Sequence, residues 1–180
     1  MKLVISLVTS LFLISISYAE IKKTVIPGKE CGGMCFHWWP VLPVVEGWNQ
    51  DVKASYNYSA NAQAPNNYTF SNSETVIYSK ALFKPRMPKI KSIEALIESD
   101  LKKFNEGQEL IVSKIAPLAT ADGKKVITYS FYPKNKGNWE HVGYSEEGEF
   151  FLLFTISSRT KSGLVKNLPA YNKFVSEYRE

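Results

Sequence analysis

The chain has 180 residues, 22 of them Lys or Arg and 17 Asp or Glu, for a net charge of +5. A positive balance this modest does not make a nucleic-acid surface; it favours solubility and weak attraction to anionic surfaces such as lipid head groups or envelope polymers. The chain has two histidines and two cysteines, no G-x-S-x-G and no Gly-rich phosphate loop, which argues against a hydrolase or a nucleotide-binding enzyme.

Residues 1–19 hold one cation, Lys2, then an uncharged apolar run over 3–16, then Ser17-Tyr18-Ala19 with small residues at the minus-three and minus-one positions. That is the pattern of a secretory signal peptide. The run is shorter than the roughly 20 apolar residues that span a bilayer. Cys31 follows Pro27-Gly28-Lys29-Glu30, which is no lipid-attachment site. Removal of this leader would leave 161 residues at +4. We expect residues 20–180 to form one domain, long enough to bury about 70% of the unfolded surface. The expected protein is exported, periplasmic in a Gram-negative host, and monomeric, with a partner or ligand in the envelope.

Residues 20–73 read as an arm and a polar loop packed on that domain. In the arm, Pro40 and Pro43 exclude a helix and predict an extended or irregular path. Cys31, Met34, Cys35 and His37 are soft and borderline ligands that would suit Cu(I) or Zn(II) if they converged, with His141 as a further donor. An exported protein with two cysteines more simply forms a structural disulfide, a local staple worth about 2 kcal/mol in the entropic model, and a redox-active dithiol is a third reading. The aromatics Phe36, Trp38, Trp39, Trp48, Tyr56, Tyr58 and Tyr68 could line a groove for a peptide or glycan, or cover the open end of a sheet. Residues 49–73 show no clear periodicity and are expected to be a long loop. Its two sequons, at Asn57 and Asn67, matter only in a glycosylating host.

The core is expected over 74–180. Residues 74–84 are rich in β-formers and end at Pro85, which predicts a strand. A basic connector follows, with Lys84, Arg86, Lys89 and Lys91. Ser92 can cap a helix over 93–106, where Ile93, Leu96, Ile97, Leu101 and Phe104 share one face and Gly107 stops it. A short strand over 109–115, stopped by Pro117, leads through an Asp122-Gly123 turn into three consecutive antiparallel strands over 125–158. Phe150, Leu152, Phe154 and Ile156 alternate with Phe151, Leu153 and Thr155, so the last of these strands needs cover on both faces. A final helix is expected to start near Pro169, with Tyr171, Phe174, Val175 and Tyr178 at helical spacing. On the middle strand Trp139, His141 and Gly143 share one face and Glu140 the other. Glu140 is therefore badly placed to orient His141, which reads as a packing residue rather than a catalyst.

The expected class is α+β, a mainly antiparallel sheet of five to six strands with helices on its faces. The helix with its apolar stripe, the strands of WEHVGYSEEGEFFLLFTISSRT and the closing PAYNKFVSEY, over about 74–178, resemble the Mog1/PsbP-like superfamily of small α+β proteins. The resemblance implies a binding or accessory domain without a shared catalytic set. We therefore expect an exported, non-enzymatic binding or accessory domain without a cofactor. The alternative is a metal-handling (copper or zinc) or thiol-redox protein built on Cys31, Cys35 and His37.

Overall fold

The computed structural model describes residues 21–28, 32–105 and 109–179. In chain order the elements are β1 (Ile21–Gly28), β2 (Gly33–Pro40), β3 (Trp48–Gln50), α1 (Val52–Tyr58), β4 (Asn61–Pro65), β5 (Thr75–Phe83), α2 (Ile93–Asn105), β6 (Leu110–Ala119), β7 (Lys125–Pro133), β8 (Trp139–Glu147), β9 (Phe150–Ser158) and α3 (Lys161–Ser176). The architecture is α+β. Its main sheet runs β3-β4-β5-β9-β8-β7-β6, antiparallel throughout, and β1 with β2 forms a separate two-stranded sheet. The sheet thus has seven strands where five or six were expected, because the supposed loop over 49–73 supplies β3, α1 and β4. The expected leader and the helix stop at Gly107 lie outside the described residues.

β9 is the middle strand, and its alternation explains the layering. Leu152, Phe154 and Ile156 point to the face covered by α3, where they meet Leu164, Tyr171, Phe174, Val175 and Tyr178. Phe151 points the other way, to Ile93, Leu96 and Ile97 of α2, together with Phe131, Val142 and Tyr144. Fully burying a side chain of this size contributes roughly 1.5–3 kcal/mol, so each helix is held chiefly by its apolar stripe. Ser92 caps α2 as expected, its Oγ accepting from the Ala95 N–H at 3.2 Å.

Two sequence expectations are corrected and one is narrowed. First, α3 begins at Lys161, with Thr160 as its N-cap accepting from the Gly163 N–H at 3.0 Å, and Pro169 falls inside the helix. Proline gives up one backbone bond there, but burial of Leu164 before it and Tyr171 and Phe174 after it outweighs that loss. Second, the arm takes the extended path as far as Pro40, where Cys35 to Pro40 pair with Ile21 to Ile26 across β1 and β2. Pro40 ends β2 and Pro43 lies beyond it, so these two prolines stop the hairpin. Third, β6 continues past Pro117 to Ala119 through an irregularity between Ile115 and Leu118. An edge strand tolerates a proline at such a bulge because its outer N–H groups have no ladder partner to lose.

β4 escapes sequence reading for a different reason. Asn61, Ala62, Gln63 and Ala64 are all buried, yet they are polar or small. The two amides are satisfied: Gln63 accepts from the Val45 N–H at 3.0 Å and donates to the Pro43 carbonyl at 3.0 Å, while Asn61 donates to the Pro40 carbonyl at 3.2 Å. These bonds tie the arm to the sheet, and the alanines leave room for Leu42, Val45 and Trp48 to enter the core. No helix among the described residues is long and apolar enough to cross a membrane.

Candidate functional site

The register places side chains in rows across the face that carries α2. Phe131, Glu140, Ser157 and Val76 form one row, then Tyr129, Val142, Thr155 and Tyr78, then Tyr144, Leu153 and Lys80. α2 packs over Phe131, Val142, Tyr144 and Phe151 but leaves the β5 end of these rows uncovered. There a cavity of about 320 Å³ opens, with Val76, Tyr78, Lys80, Glu140 and Ser157 on its floor. Tyr58, Phe70, Ser73, Glu74, Asn138 and Arg159 make its walls.

The walls are fixed by capping and by the chain's return at the end of β9. Asp51 caps α1 through Oδ1, which accepts from the Ala54 N–H at 2.9 Å, while its Oδ2 accepts from the Phe70 N–H at 2.9 Å. These bonds hold the Asp51 carboxyl below the usual carboxylate range. Tyr58, at the end of α1, and Phe70 are thereby brought together with ring centroids 5.4 Å apart, and Phe70 meets Tyr78 at 5.8 Å. On the other side the Arg159 guanidinium donates to the Ser71 carbonyl at 2.8 Å, its backbone N–H donates to the Glu74 carbonyl at 3.0 Å, and the Thr160 hydroxyl donates to the Glu74 carboxylate.

The floor is polar, with Ser157 buried and Val76, Tyr78, Lys80 and Glu140 half-buried. Ser157 donates to Glu140 Oε1 at 2.5 Å, and Asn138 Nδ2 donates to Ser157 Oγ at 3.0 Å. Burial pushes the Glu140 carboxyl above its ordinary value, and the Ser157 hydrogen bond offsets part of that. Burial also raises the Tyr78 phenol, with the Glu140 charge adding to it, and lowers the Lys80 ammonium. The Lys80 ammonium lies 5.9 Å from the Tyr78 ring centroid. Among the described residues it has no hydrogen bond or ion pair.

A second hollow, of about 370 Å³, adjoins the first and shares Tyr58 and Lys80 with it. Phe36, His37 and Trp38 of β2 line it opposite residues 80–83 of β5. Trp38 stacks on Phe83 at 4.9 Å, and the Arg86 guanidinium lies 4.7 Å from the Trp38 ring centroid while donating to the Phe36 carbonyl at 2.6 Å.

The structure separates the residues singled out from sequence. Tyr58 walls the cavity and Trp38 the adjoining hollow. Trp39 and Trp48 are buried, and Trp39 meets Tyr56 edge-on at 5.8 Å, so these side chains act mainly in packing. Cys35 is buried and no described cysteine is free; Cys31 lies outside the described residues. Met34 is exposed. His37 Nδ1 shares a hydrogen bond with Ser59 Oγ at 2.5 Å, and His141 Nε2 one with the Tyr132 hydroxyl at 2.9 Å. Among the described residues no three His, Cys, Asp or Glu side chains cluster as a metal site would require. Burial lowers the His141 imidazole, and the residue sits on the α3 face with its back to Glu140, as strand alternation implies.

Sequence reading missed the cavity's polar set: Glu74, Tyr78, Lys80, Asn138, Glu140, Ser157 and Arg159. One signal was present, a charged residue on the same strand face as large apolar ones: Glu140 alternates with Val142 and Tyr144 in β8, and Lys80 with Val76, Tyr78 and Leu82 in β5. Such charges are costly to bury without a task or a partner. No protein-family model and no curated protein matches the chain.

Proposed function

We propose that this is an exported, non-enzymatic binding or accessory domain of the cell envelope, and that its ligand enters the cavity over β5, β9 and β8. The observation that carries the reading is the Asn138–Ser157–Glu140 hydrogen-bond chain at the foot of an aromatic wall. It sets fixed hydrogen-bonding groups beside the Tyr58, Phe70 and Tyr78 rings in one concave pocket, where ring contacts and polar contacts can converge on a small molecule. His141, on the opposite face and bonded to Tyr132, cannot serve Ser157 as a base, which supports binding over nucleophilic catalysis. The Mog1/PsbP-like resemblance read from the sequence over 74–178 implies an accessory role as well. In this reading Cys35 closes a small ring with Cys31 that staples the β1–β2 hairpin.

Two measurements test it. N-terminal sequencing of the protein recovered from its own compartment should begin at Glu20; an intact Met1 in the cytoplasm would remove the export half of the reading. For the binding half, a mixed fragment library of sugars, short peptides and small acids should shift NMR resonances of Tyr58, Phe70 and Ser157 together. If no fragment moves them at millimolar concentration, the cavity is not a binding site.

A further inference from the structure

Lys80 stands where the two hollows meet. Its ammonium is drawn partly out of water over the Tyr78 ring, without a hydrogen bond or ion pair among the described residues. A cation so placed can take an anion from outside, which would offset the cost of drawing it out of water. The row of Tyr78, over which that ammonium sits, and the row of Glu140 and Ser157 are two residues apart on β5, about 7 Å along the strand. Within that span an anionic group at Lys80 and hydrogen-bond donors at Glu140 belong to one ligand about the size of a single pyranose ring with its substituents. The Glu140 carboxylate would repel the anion, so the ligand's orientation is fixed: negative end to Lys80, hydroxyl groups to Glu140, Ser157 and Asn138.

Between these ends stand the Tyr58, Phe70 and Tyr78 rings, and Tyr58 keeps 53% of its surface exposed. Rings of this kind offer a flat contact for the C–H face of a sugar at little entropic cost. An extended peptide is the poorer fit here, because the β5 edge over residues 77–79 is already paired with β4 and offers no free backbone ladder. At about 320 Å³ the cavity is also at the small end of the roughly 300–1,000 Å³ range of ligand pockets, which suits one ring.

We propose that the cavity binds an acidic sugar residue, its carboxylate on Lys80, its ring face on Tyr58 and Phe70, and its hydroxyls on the Glu140–Ser157–Asn138 chain. This rests on the reading of the cavity as a ligand site and names the ligand class. The test is an NMR titration of the mature protein with glucuronate, glucose, glucose 6-phosphate and an acetylated acidic dipeptide. Glucuronate should shift Tyr58, Phe70 and Ser157 with a millimolar Kd, at least fivefold tighter than glucose, and Lys80→Gln should weaken glucuronate to the level of glucose while leaving glucose unchanged. Equal binding of glucose and glucuronate, or tighter binding of glucose 6-phosphate or the dipeptide, overturns the assignment. If none of the four binds but the fragment library still shifts the cavity resonances, the acidic-sugar proposal falls alone; if the library is silent as well, the binding-site reading falls with it.

Discussion

The two faces of the sheet use the same strands for different ends. On the α3 face, Leu152, Phe154 and Ile156 are sealed by Leu164, Tyr171, Phe174 and Tyr178, and even the polar atom that helix brings down, the Tyr171 hydroxyl, donates to the Phe154 carbonyl at 2.9 Å. On the α2 face the seal stops partway. The rows from Glu140 to Val76 and from Val142 to Tyr78 run out from under the helix into a cavity where Asn138, Ser157 and Glu140 bond in a chain and the Lys80 ammonium has no hydrogen bond or ion pair among the described residues. Charges kept on the half-closed face cost stability that an apolar closure would not, and that cost is the ground for proposing a ligand there.

If the closed face carries the stability, the largest effect belongs there. Phe154 is fully buried in the middle strand and meets Phe174 at 6.4 Å and Tyr178 at 5.5 Å. Phe154→Ala should destabilise the protein by about 3–5 kcal/mol in urea unfolding, through lost transfer energy and the void left behind. A loss below about 1 kcal/mol would mean that α3 does not seal this face. The companion variant on the open face, Phe70→Ala, should cost far less, since Phe70 is only partly buried.

Next in size is Gly143→Ala, which adds volume where Phe154→Ala removes it. A Cβ there would stand 2.6 Å from Val126 Cγ1 and 3.0 Å from the Tyr171 hydroxyl, on the floor beneath α3. Overpacking of a closed core typically costs about 1–3 kcal/mol, and the Tyr171 bond to Phe154 should loosen with it. Wild-type stability in this variant would show that the α3 face has slack and is not the tightly packed side.

The architecture was legible where the chain alternates strictly or repeats at helical spacing: the three strands over 125–158, the α2 stripe, and the need for two covering layers on β9. Those signals come from burial of large apolar groups, which leave a pattern. The parts that were not legible are held by other means. β4 is a buried strand of alanines and satisfied amides, α1 is a seven-residue helix placed by the Asp51 cap, and β1–β2 is a hairpin rich in aromatics and prolines. The site follows the same division. Tyr58 and Trp38 stood out as aromatics, but Glu140 was weighed only as a partner for His141, and Lys80 was read as one residue of a strand. What brings them to one cavity is the register of β5 against β9 and β8, a non-local fact that no spacing along the chain encodes.

A moderate effect is expected at Asp51, which organises the cavity wall from outside it. Asp51→Ala removes the cap of α1 and the acceptor for the Phe70 N–H together. Loss of an N-cap costs about 1 kcal/mol. The sharper readout is local: hydrogen exchange should quicken in residues 52–58 and at Phe70, and leave α3 protected. Uniform quickening across both faces would show that the wall is not a separate, less stable unit.

The smallest effect tests the sign of the electrostatics on the two faces, using neighbours in β8 that point in opposite directions. The Glu140 carboxyl is raised by burial, so its ionised form is disfavoured in the folded state. The resulting cost to stability is fully present above the folded pKa, is relieved as pH falls toward the ordinary value of 4.5, and is absent below it. Glu140→Gln should therefore melt above wild type at about pH 8 and level with it near pH 4, and taking the difference between the two proteins cancels the similarly raised Asp100. His141 is lowered by burial and behaves the other way: its stability contribution is present above the ordinary 6.5 and is lost as pH falls below it, because the unfolded chain takes the proton first. His141→Gln, which can keep a hydrogen bond to Tyr132, should lose less stability than wild type between about pH 7 and pH 5. If Glu140→Gln instead melts below wild type at pH 8, the ionised carboxylate is stabilised where it lies, and the α2 face is a finished polar core rather than a site held open for a ligand.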